Sequence, residues 1–326
     1  MQAVTSGKGL TVLLSTSCII EDRLGASPSD PYNSFPTAVY IHSIQAYTDN
    51  IAPAVAKEHP NMAFSGRLAI IAGGLGGLGS TIAATLHSKG ATLALLYAPF
   101  ESSRVSSVLT STFDSPSPDH ITTVECDITD ETSVTTAFNT IASYAKETNT
   151  FPSILINAAG YVSVQPLSET SADEARKNIL PNLLGPMFCS QAFHKLYTTT
   201  SPTSGTEKPP GRILSISSQA AHVALDGHAA YCASKAGLNA LTRSMALEWG
   251  PLGITANTVS PTVVLTELGK KAWADPEKRE KMESMIPTGR FAVPGEVAGA
   301  VEYLVGDGSG MVNGADLRID GGFTIR

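Results

Sequence analysis

The sequence predicts one doubly wound α/β domain: a parallel sheet of about seven strands with helices on both faces. Three observations carry that expectation. From Phe64 onward, short apolar runs alternate with segments of helical spacing. The rhythm persists for roughly 260 residues without an internal repeat, enough chain for a single large core. The first apolar run ends in a glycine-rich turn that opens directly into the first helical segment.

The elements follow in order. RLAIIAG (67–73) is a short apolar run closed by glycine, which reads as a buried strand. LGSTIAATLHSKG (78–90) has helical spacing and stops at Gly90. ATLALLY (91–97) is again strand-like, and ITTVECD (121–127) alternates loosely. SVTTAFNTIASYAKE (133–147) is helical, while SILINAAG (153–160) and RILSISS (212–218) are further buried strands. AAYCASKAGLNALTRSMALEWG (229–250) predicts a long helix ended by Gly250 and Pro251. ITANTVSP (254–261) reads as a strand, EVAGAVEYLVG (296–306) as a helix and ADLRIDGG (315–322) as the last strand. TTTSPTSGTEKPPG (198–211) is a low-complexity surface loop, because the strand–helix rhythm resumes after it.

Residues 1–63 differ. GASPSDPYNSFPT (25–37) is rich in Ser, Pro and Asp and reads as linker, while AVYIHSIQAYTDNIAPAVA (38–56) is more apolar. We expect an N-terminal extension over 1–63, flexible or docked on a subunit, and one domain over 64–326. The net charge of −7, with no Lys/Arg cluster, argues against nucleic acid as a partner. No apolar run approaches a membrane span. LTVLLSTSCII (10–20) is broken by Ser and Thr and followed by EDRLG, a poor fit to a signal peptide. The first arginine is Arg23, a poor fit to a mitochondrial presequence. Cys18, Cys126, Cys189 and Cys232 are not spaced as metal pairs and are too few for a disulfide scaffold. A reducing compartment follows, the cytoplasm first and mitochondria as the alternative.

Two motifs carry chemistry. AGGLGGLG (72–79) supplies Gly73, Gly74, Gly76, Gly77 and Gly79, with Leu75 and Leu78 among them. Such a turn lets backbone approach a pyrophosphate, whose charge meets free N–H groups at a helix start. Glycines can also serve simply as turn residues, but a strand before and a helix after favour a dinucleotide site. YCASK (231–235) places Tyr231 and Lys235 one helical turn apart on one face. An ammonium beside a phenol favours the phenolate and draws its pKa of about 10 towards working pH. Alone, the five residues also fit an ordinary surface pair.

The spacing of Gly73, Gly77 and Gly79 is G-x-x-x-G-x-G, and YCASK follows roughly 150 residues later. Together they make residues 64–326 resemble the short-chain dehydrogenase/reductase family. The resemblance implies a Rossmann-type dinucleotide-binding catalytic domain that moves hydride between a nicotinamide and a carbonyl or alcohol. The family's serine stands thirteen residues before the tyrosine, which gives Ser218. Its asparagine matches Asn182 in ILPNLLGPMFCSQA (179–192), directly after Pro181. On this resemblance Ser218 would hold the reacting oxygen and Tyr231 would give or take the proton. Lys235 would keep the phenol's pKa within reach and bind the nicotinamide ribose, and Asn182 would hold a relay water. No metal is called for, because Tyr231 and Ser218 replace a Lewis acid.

The resemblance also implies the cofactor contacts. Gly73, Leu75, Gly77, Leu78 and Gly79 would cradle the pyrophosphate. Asp127 and Ile128 would meet the adenine, and Asn157, Ala158, Ala159 and Gly160 the adenine ribose. Pro261, Thr262, Val264 and Thr266 would lie on the carboxamide side. Tyr97 ends the second strand, where NAD enzymes carry an acid and NADP enzymes have basic groups nearby. No carboxylate stands there, and the nearest basic residue is Arg104. The reading leans to NADP(H), with NAD(H) the alternative.

After its proline the family commonly has glycine, but this chain has Thr262, in SPTVVLTELGKKAW. That variant, with Gln219, His228 and Trp273, resembles the L-xylulose (dicarbonyl) reductase and polyol dehydrogenase branch. Gln219 and His228 would bind sugar hydroxyls beside Ser218, and Trp273 would form an apolar wall. Each also fits a plainer role, as loop residues or ordinary core. His222 reads as a solvated histidine. Residues 262–291 would form a substrate lid. The alternatives are a reductase of 3-oxoacyl or polyketide-type ketones and a non-catalytic dinucleotide sensor. The family's habit implies a homotetramer acting on a small-molecule substrate.

Overall fold

The computed structural model describes residues 62–202 and 205–325. Apart from Met62 and Ala63, the expected extension lies outside the described residues. Seven strands form one sheet: β1 (Arg67–Ala72), β2 (Thr92–Tyr97), β3 (Ile121–Glu125), β4 (Phe151–Asn157), β5 (Gly211–Ile216), β6 (Ile254–Pro261) and β7 (Asp316–Ile319). Their order is β3-β2-β1-β4-β5-β6-β7, and every pairing is parallel. The connection reverses direction across the sheet between β1 and β4, which opens a crevice at the carboxyl ends of those strands.

Nine helices of the described residues cover the sheet and its carboxyl edge. They are α1 (Gly77–His87), α2 (Val105–Phe113), α3 (Glu131–Glu147), α4 (Ala172–Ile179), α5 (Gly185–Thr199), α6 (Ala229–Trp249), α7 (Glu267–Ala272), α8 (Pro276–Glu283) and α9 (Pro294–Val305). The central strand shows why the chain is apolar on both faces. Leu68, Ile70 and Ala72 of β1 pack with Phe138 and Ile141 of α3, Phe193 of α5 and Met245 of α6. Ala69 and Ile71 face the other way, onto Ile82 and Leu86 of α1 and Val297 and Val301 of α9.

Local chemistry sets several boundaries. Asp130 caps α3 by accepting from the Thr132 N–H at 2.9 Å. Pro294 opens α9 at the position where a helix lacks an acceptor for its N–H. Helices α2 and α4 carry no expectation from the sequence, since VSSVLTSTF and ADEARKNI are short segments with few large apolar residues. Between α4 and α5 the chain makes a π-helical turn, Leu180–Leu184. Pro181 explains it: the ring removes one backbone donor and crowds the preceding turn, and a wider turn relieves the clash.

Residues 262–291 hold α7 and α8 and are pinned at both ends by a bridge between Val264 and Ala292. They have a small core of their own. Met282, Ile286 and Phe291 pack with Val263, Leu265, Trp273 and Phe323.

Candidate active site

The glycine turn follows β1 and enters α1. Gly73 has φ +80°, and a Cβ there would lie 2.6 Å from the Ala159 nitrogen. A Cβ on Gly79 would lie 2.1 Å from the Gly73 carbonyl oxygen. Gly77 packs against Thr266, where a Cβ would come within 2.8 Å of the threonine Cβ. Helix α1 has no side-chain cap and no acid in its first turn, so its positive end is left for an anion. Leu75 is buried and Leu78 packs on the core, so these two contribute backbone to the turn.

Beside the turn lies a cleft of about 500 Å³. Of the residues expected to meet a cofactor, Gly73, Tyr97, Asp127, Ile128, Ala158, Ala159 and Gly160 line it. Asn157 does not. It is 2% exposed, and its Nδ2 reaches Ser190 and Ser215 at 3.3 and 3.2 Å, tying β4 to α5 and β5. Pro261 and Thr262 are buried at the end of β6, and the Thr262 Oγ1 has no partner among the described residues. Val264 sits in the lid bridge, and Thr266 caps α7 by accepting from the Gly269 N–H at 3.1 Å. The cleft is also lined by residues to which sequence reasoning assigned nothing, notably Ala98, Phe100, Glu101, Tyr161, Lys177 and Pro181.

The four residues expected to be catalytic converge from β5, α6 and the π turn. Ser218 follows β5 and accepts from the Ala220 N–H at 3.1 Å, which aims its side chain. It lies close enough to Tyr231 to draw the phenol's pKa down. Lys235 is 4% exposed and donates from Nζ to the Ile216 carbonyl at 2.8 Å. Its Nζ lies 5.8 Å from the centre of the Tyr231 ring. Asn182 is fully buried. Its Oδ1 accepts from the Tyr161 N–H and its Nδ2 donates to the Tyr161 carbonyl, both at 2.8 Å. The same Nδ2 reaches Ser234 Oγ at 3.0 Å. Gly160 is where Asn182 and Lys235 meet: a Cβ there would be 3.0 Å from Asn182 Oδ1 and 3.7 Å from Lys235 Nζ.

Burial dominates the electrostatics of the pair. Burial pushes the Tyr231 phenol above its ordinary value, and the Ser218 hydrogen bond only partly offsets this. The Lys235 ammonium is desolvated as well: burial lowers its pKa from 10.5 to about 8. The pair shares a face, as the spacing requires.

The expected substrate residues are more scattered. Gln219 is 4% exposed next to Ser218, and its Oε1 has no partner among the described residues. The His228 ring is 6.4 Å from that of Tyr231, with Nδ1 at 2.6 Å from the Asp226 carbonyl. A carbonyl only accepts, so Nδ1 carries a proton, and in the neutral ring Nε2 is the acceptor. Trp273 packs in the lid core, 5.2 Å from the Phe291 ring and under Lys278 at 5.1 Å. His222 is not merely solvated: its Nε2 lies 2.7 Å from Asp316 Oδ2. Asp316 in turn accepts from Thr258 and Ser260 at 2.5 and 2.6 Å.

Comparison with known proteins identifies the family. A family profile described as enoyl-(acyl carrier protein) reductase matches residues 73–324. The D-threitol dehydrogenase of Mycolicibacterium smegmatis is 38% identical over 261 residues, 80% of this chain and 94% of that protein. The chain belongs to the short-chain dehydrogenase/reductase family. The D-erythrulose reductase of Gallus gallus is 31% identical, over 82% of this chain and 99% of that one. A solved mutant form of a Serratia marcescens short-chain dehydrogenase/reductase superposes with a TM-score of 0.69 at 30% identity. That match covers 82% of this chain and all of the other, 100%. As a short-chain dehydrogenase/reductase the chain is an oxidoreductase with a Rossmann-type sheet, and its named relatives lie in the polyol and ketose branch. Among the described residues no group of His, Cys, Asp and Glu could hold a metal, and no helix could cross a membrane.

Proposed function

We propose that this enzyme interconverts a small ketose or dicarbonyl and the corresponding polyol, with a nicotinamide dinucleotide as the second substrate. The observation that carries the reading is the convergence of Ser218, Tyr231 and Lys235 beside a glycine turn that only backbone can occupy. The cradle fits a dinucleotide: the open end of α1 meets the pyrophosphate, and the cleft where β2 and β3 end takes the adenosine. When bound, that group supplies or accepts the hydride.

The side chains do the rest. Ser218 holds the substrate oxygen, where negative charge develops during reduction. Tyr231, kept protonated by burial, hands its proton to that oxygen. Lys235 binds ribose hydroxyls, and Asn182 holds the Tyr161 strand-end backbone in place beside it. The unpartnered Gln219 Oε1 and the His228 Nε2 are acceptors for substrate hydroxyls. A polyhydroxy substrate matches them better than an acyl chain does. Trp273, held in the lid, would supply the apolar wall.

The first test measures NADH and NADPH oxidation with L-xylulose, D-erythrulose, diacetyl and a 3-oxoacyl thioester. Turnover with the small ketoses supports the proposal. Turnover confined to the thioester would transfer it to the reading as a reductase of 3-oxoacyl or polyketide-type ketones. Tyr231→Phe should lower kcat by about a thousandfold or more while dinucleotide affinity changes by less than about threefold. Dinucleotide binding without turnover on any carbonyl would point to a sensor. The tetramer implied by the family would pack through α5 and α6, and a monomer in light scattering would refute it.

A further inference from the structure

Tyr97 leaves the end of β2 without the acid that would select NAD(H), yet the structure brings carboxylates to that end by another route. Strand β2 exits into a 3-10 turn, Pro99–Arg104, which folds back over the strand end. This turn carries Glu101 into the wall of the cleft, beside Tyr97 and Ala98. The Glu101 side chain is 13% exposed. Its Oε2 accepts from the Ala98 N–H at 3.2 Å, which holds the carboxylate against the strand end. Glu125 stands opposite Tyr97 in the register of β3, and Asp127 lines the same cleft. Three carboxylates therefore surround the end of β2.

The cations nearby are already engaged. Arg104 donates to Glu101 Oε1 at 2.9 Å. Lys177, the cation among the lining residues, donates to Glu174 Oε2 at 3.2 Å. Glu174 also accepts from the Tyr161 hydroxyl at 2.7 Å. A phosphate brought to this rim would meet Glu101 first and would have to draw Arg104 away from it. A neutral diol would instead find in the Glu101 carboxylate an acceptor that is already oriented.

We propose that Glu101 is the cofactor-specificity residue of this enzyme, accepting an adenine-ribose hydroxyl and repelling a 2′-phosphate, so that the chain selects NAD(H) over NADP(H). This rests on the dinucleotide reading above and reverses the leaning that Tyr97 alone produced. Glu101 replaces the missing strand-end acid from four residues further along, through the fold of the turn rather than through the strand.

The test reads binding separately from turnover. Dissociation constants for NADH and NADPH are measured by nucleotide fluorescence on the wild-type chain, Glu101→Gln and Arg104→Ala. The wild type should bind NADH about tenfold or more tighter than NADPH. Glu101→Gln should shrink that ratio severalfold, both by weakening NADH and by tightening NADPH as Arg104 is released. Arg104→Ala should leave NADH binding within about twofold and should not weaken NADPH selectively. NADPH binding as tight as NADH in the wild type, or a ratio unmoved by Glu101→Gln, overturns the assignment. Selective loss of NADPH in Arg104→Ala also overturns it, because Arg104 would then be the phosphate ligand. Failure of both dinucleotides to bind would overturn the dinucleotide reading itself, an outcome distinct from a wrong preference.

Discussion

Replacing Lys235 with methionine puts a number on what the site costs the fold. Lys235 is 4% exposed and its ammonium donates to the Ile216 carbonyl at 2.8 Å. Burial takes its pKa from 10.5 to about 8. At about 1.4 kcal/mol per pH unit, holding the charged form in the fold costs about 3 kcal/mol. The sign follows from proton counting. Below pH 8 the folded and unfolded chains both carry the proton, and the full cost is present. Between pH 8 and 10.5 the unfolded chain keeps a proton that the folded chain has released, so stability rises with pH. Methionine has similar length and no charge, but it leaves the Ile216 carbonyl without its donor, at about 1 kcal/mol. The variant should therefore be more stable than wild type by about 2 kcal/mol at pH 7. Near pH 10.5 the gain should be gone or slightly reversed. Urea unfolding followed by circular dichroism at several pH values measures this, and turnover should be lost in the same variant. A variant less stable than wild type at pH 7, or a gain that does not change with pH, would refute the reasoning.

Other expectations follow from the same geometry. Because burial raises the Tyr231 phenol, polyol oxidation should speed up about tenfold per pH unit from pH 7 to 9, while ketone reduction stays nearly flat there. An oxidation rate that is flat with pH would show that the phenol is already ionised. Asn182→Ala removes three hydrogen bonds from a buried position and frees the Tyr161 backbone. It should cost about 2–3 kcal/mol in urea unfolding and reduce kcat; a loss under about 0.5 kcal/mol would mean the clamp is dispensable. His222→Ala should lower kcat several-fold, with dinucleotide affinity unchanged, because it unties the Ser218 segment from β7. His222→Gln should restore part of the rate, and equal loss in both variants would count against a positioning role.

The strands and long helices were legible because their apolar runs report burial directly, as in RLAIIA of β1, where every residue is buried. Gly73, Ser218, Tyr231 and Lys235 were legible because the family motif places them in order along the chain. What escaped notice depends on folding back. Glu101 reaches the cleft only because Pro99–Arg104 forms a tight turn. His222 and Asp316 are 94 residues apart in sequence and meet across β6. Asn182 was placed by the family match, but the Tyr161 backbone it grips could not be read from ILPNLLG. The Tyr231–Lys235 spacing gave proximity but not the burial of both groups, because spacing carries no information about desolvation. Trp273 shows the same limit: sequence places it in the lid, and only the fold reveals that its ring packs against Phe291.

The central position of β1 has a consequence for how the chain is made. One edge of β1 can pair with β2 soon after both have left the ribosome, but its other edge belongs to β4, which begins at Phe151. Until that residue has been translated and threaded out, the most apolar strand of the nascent chain has an open hydrogen-bonding edge. At ordinary elongation speeds the interval is on the order of ten seconds. A chain stalled just before Phe151 should therefore recruit holding chaperones or aggregate, whereas one released after β5 should already protect β1 from proteolysis.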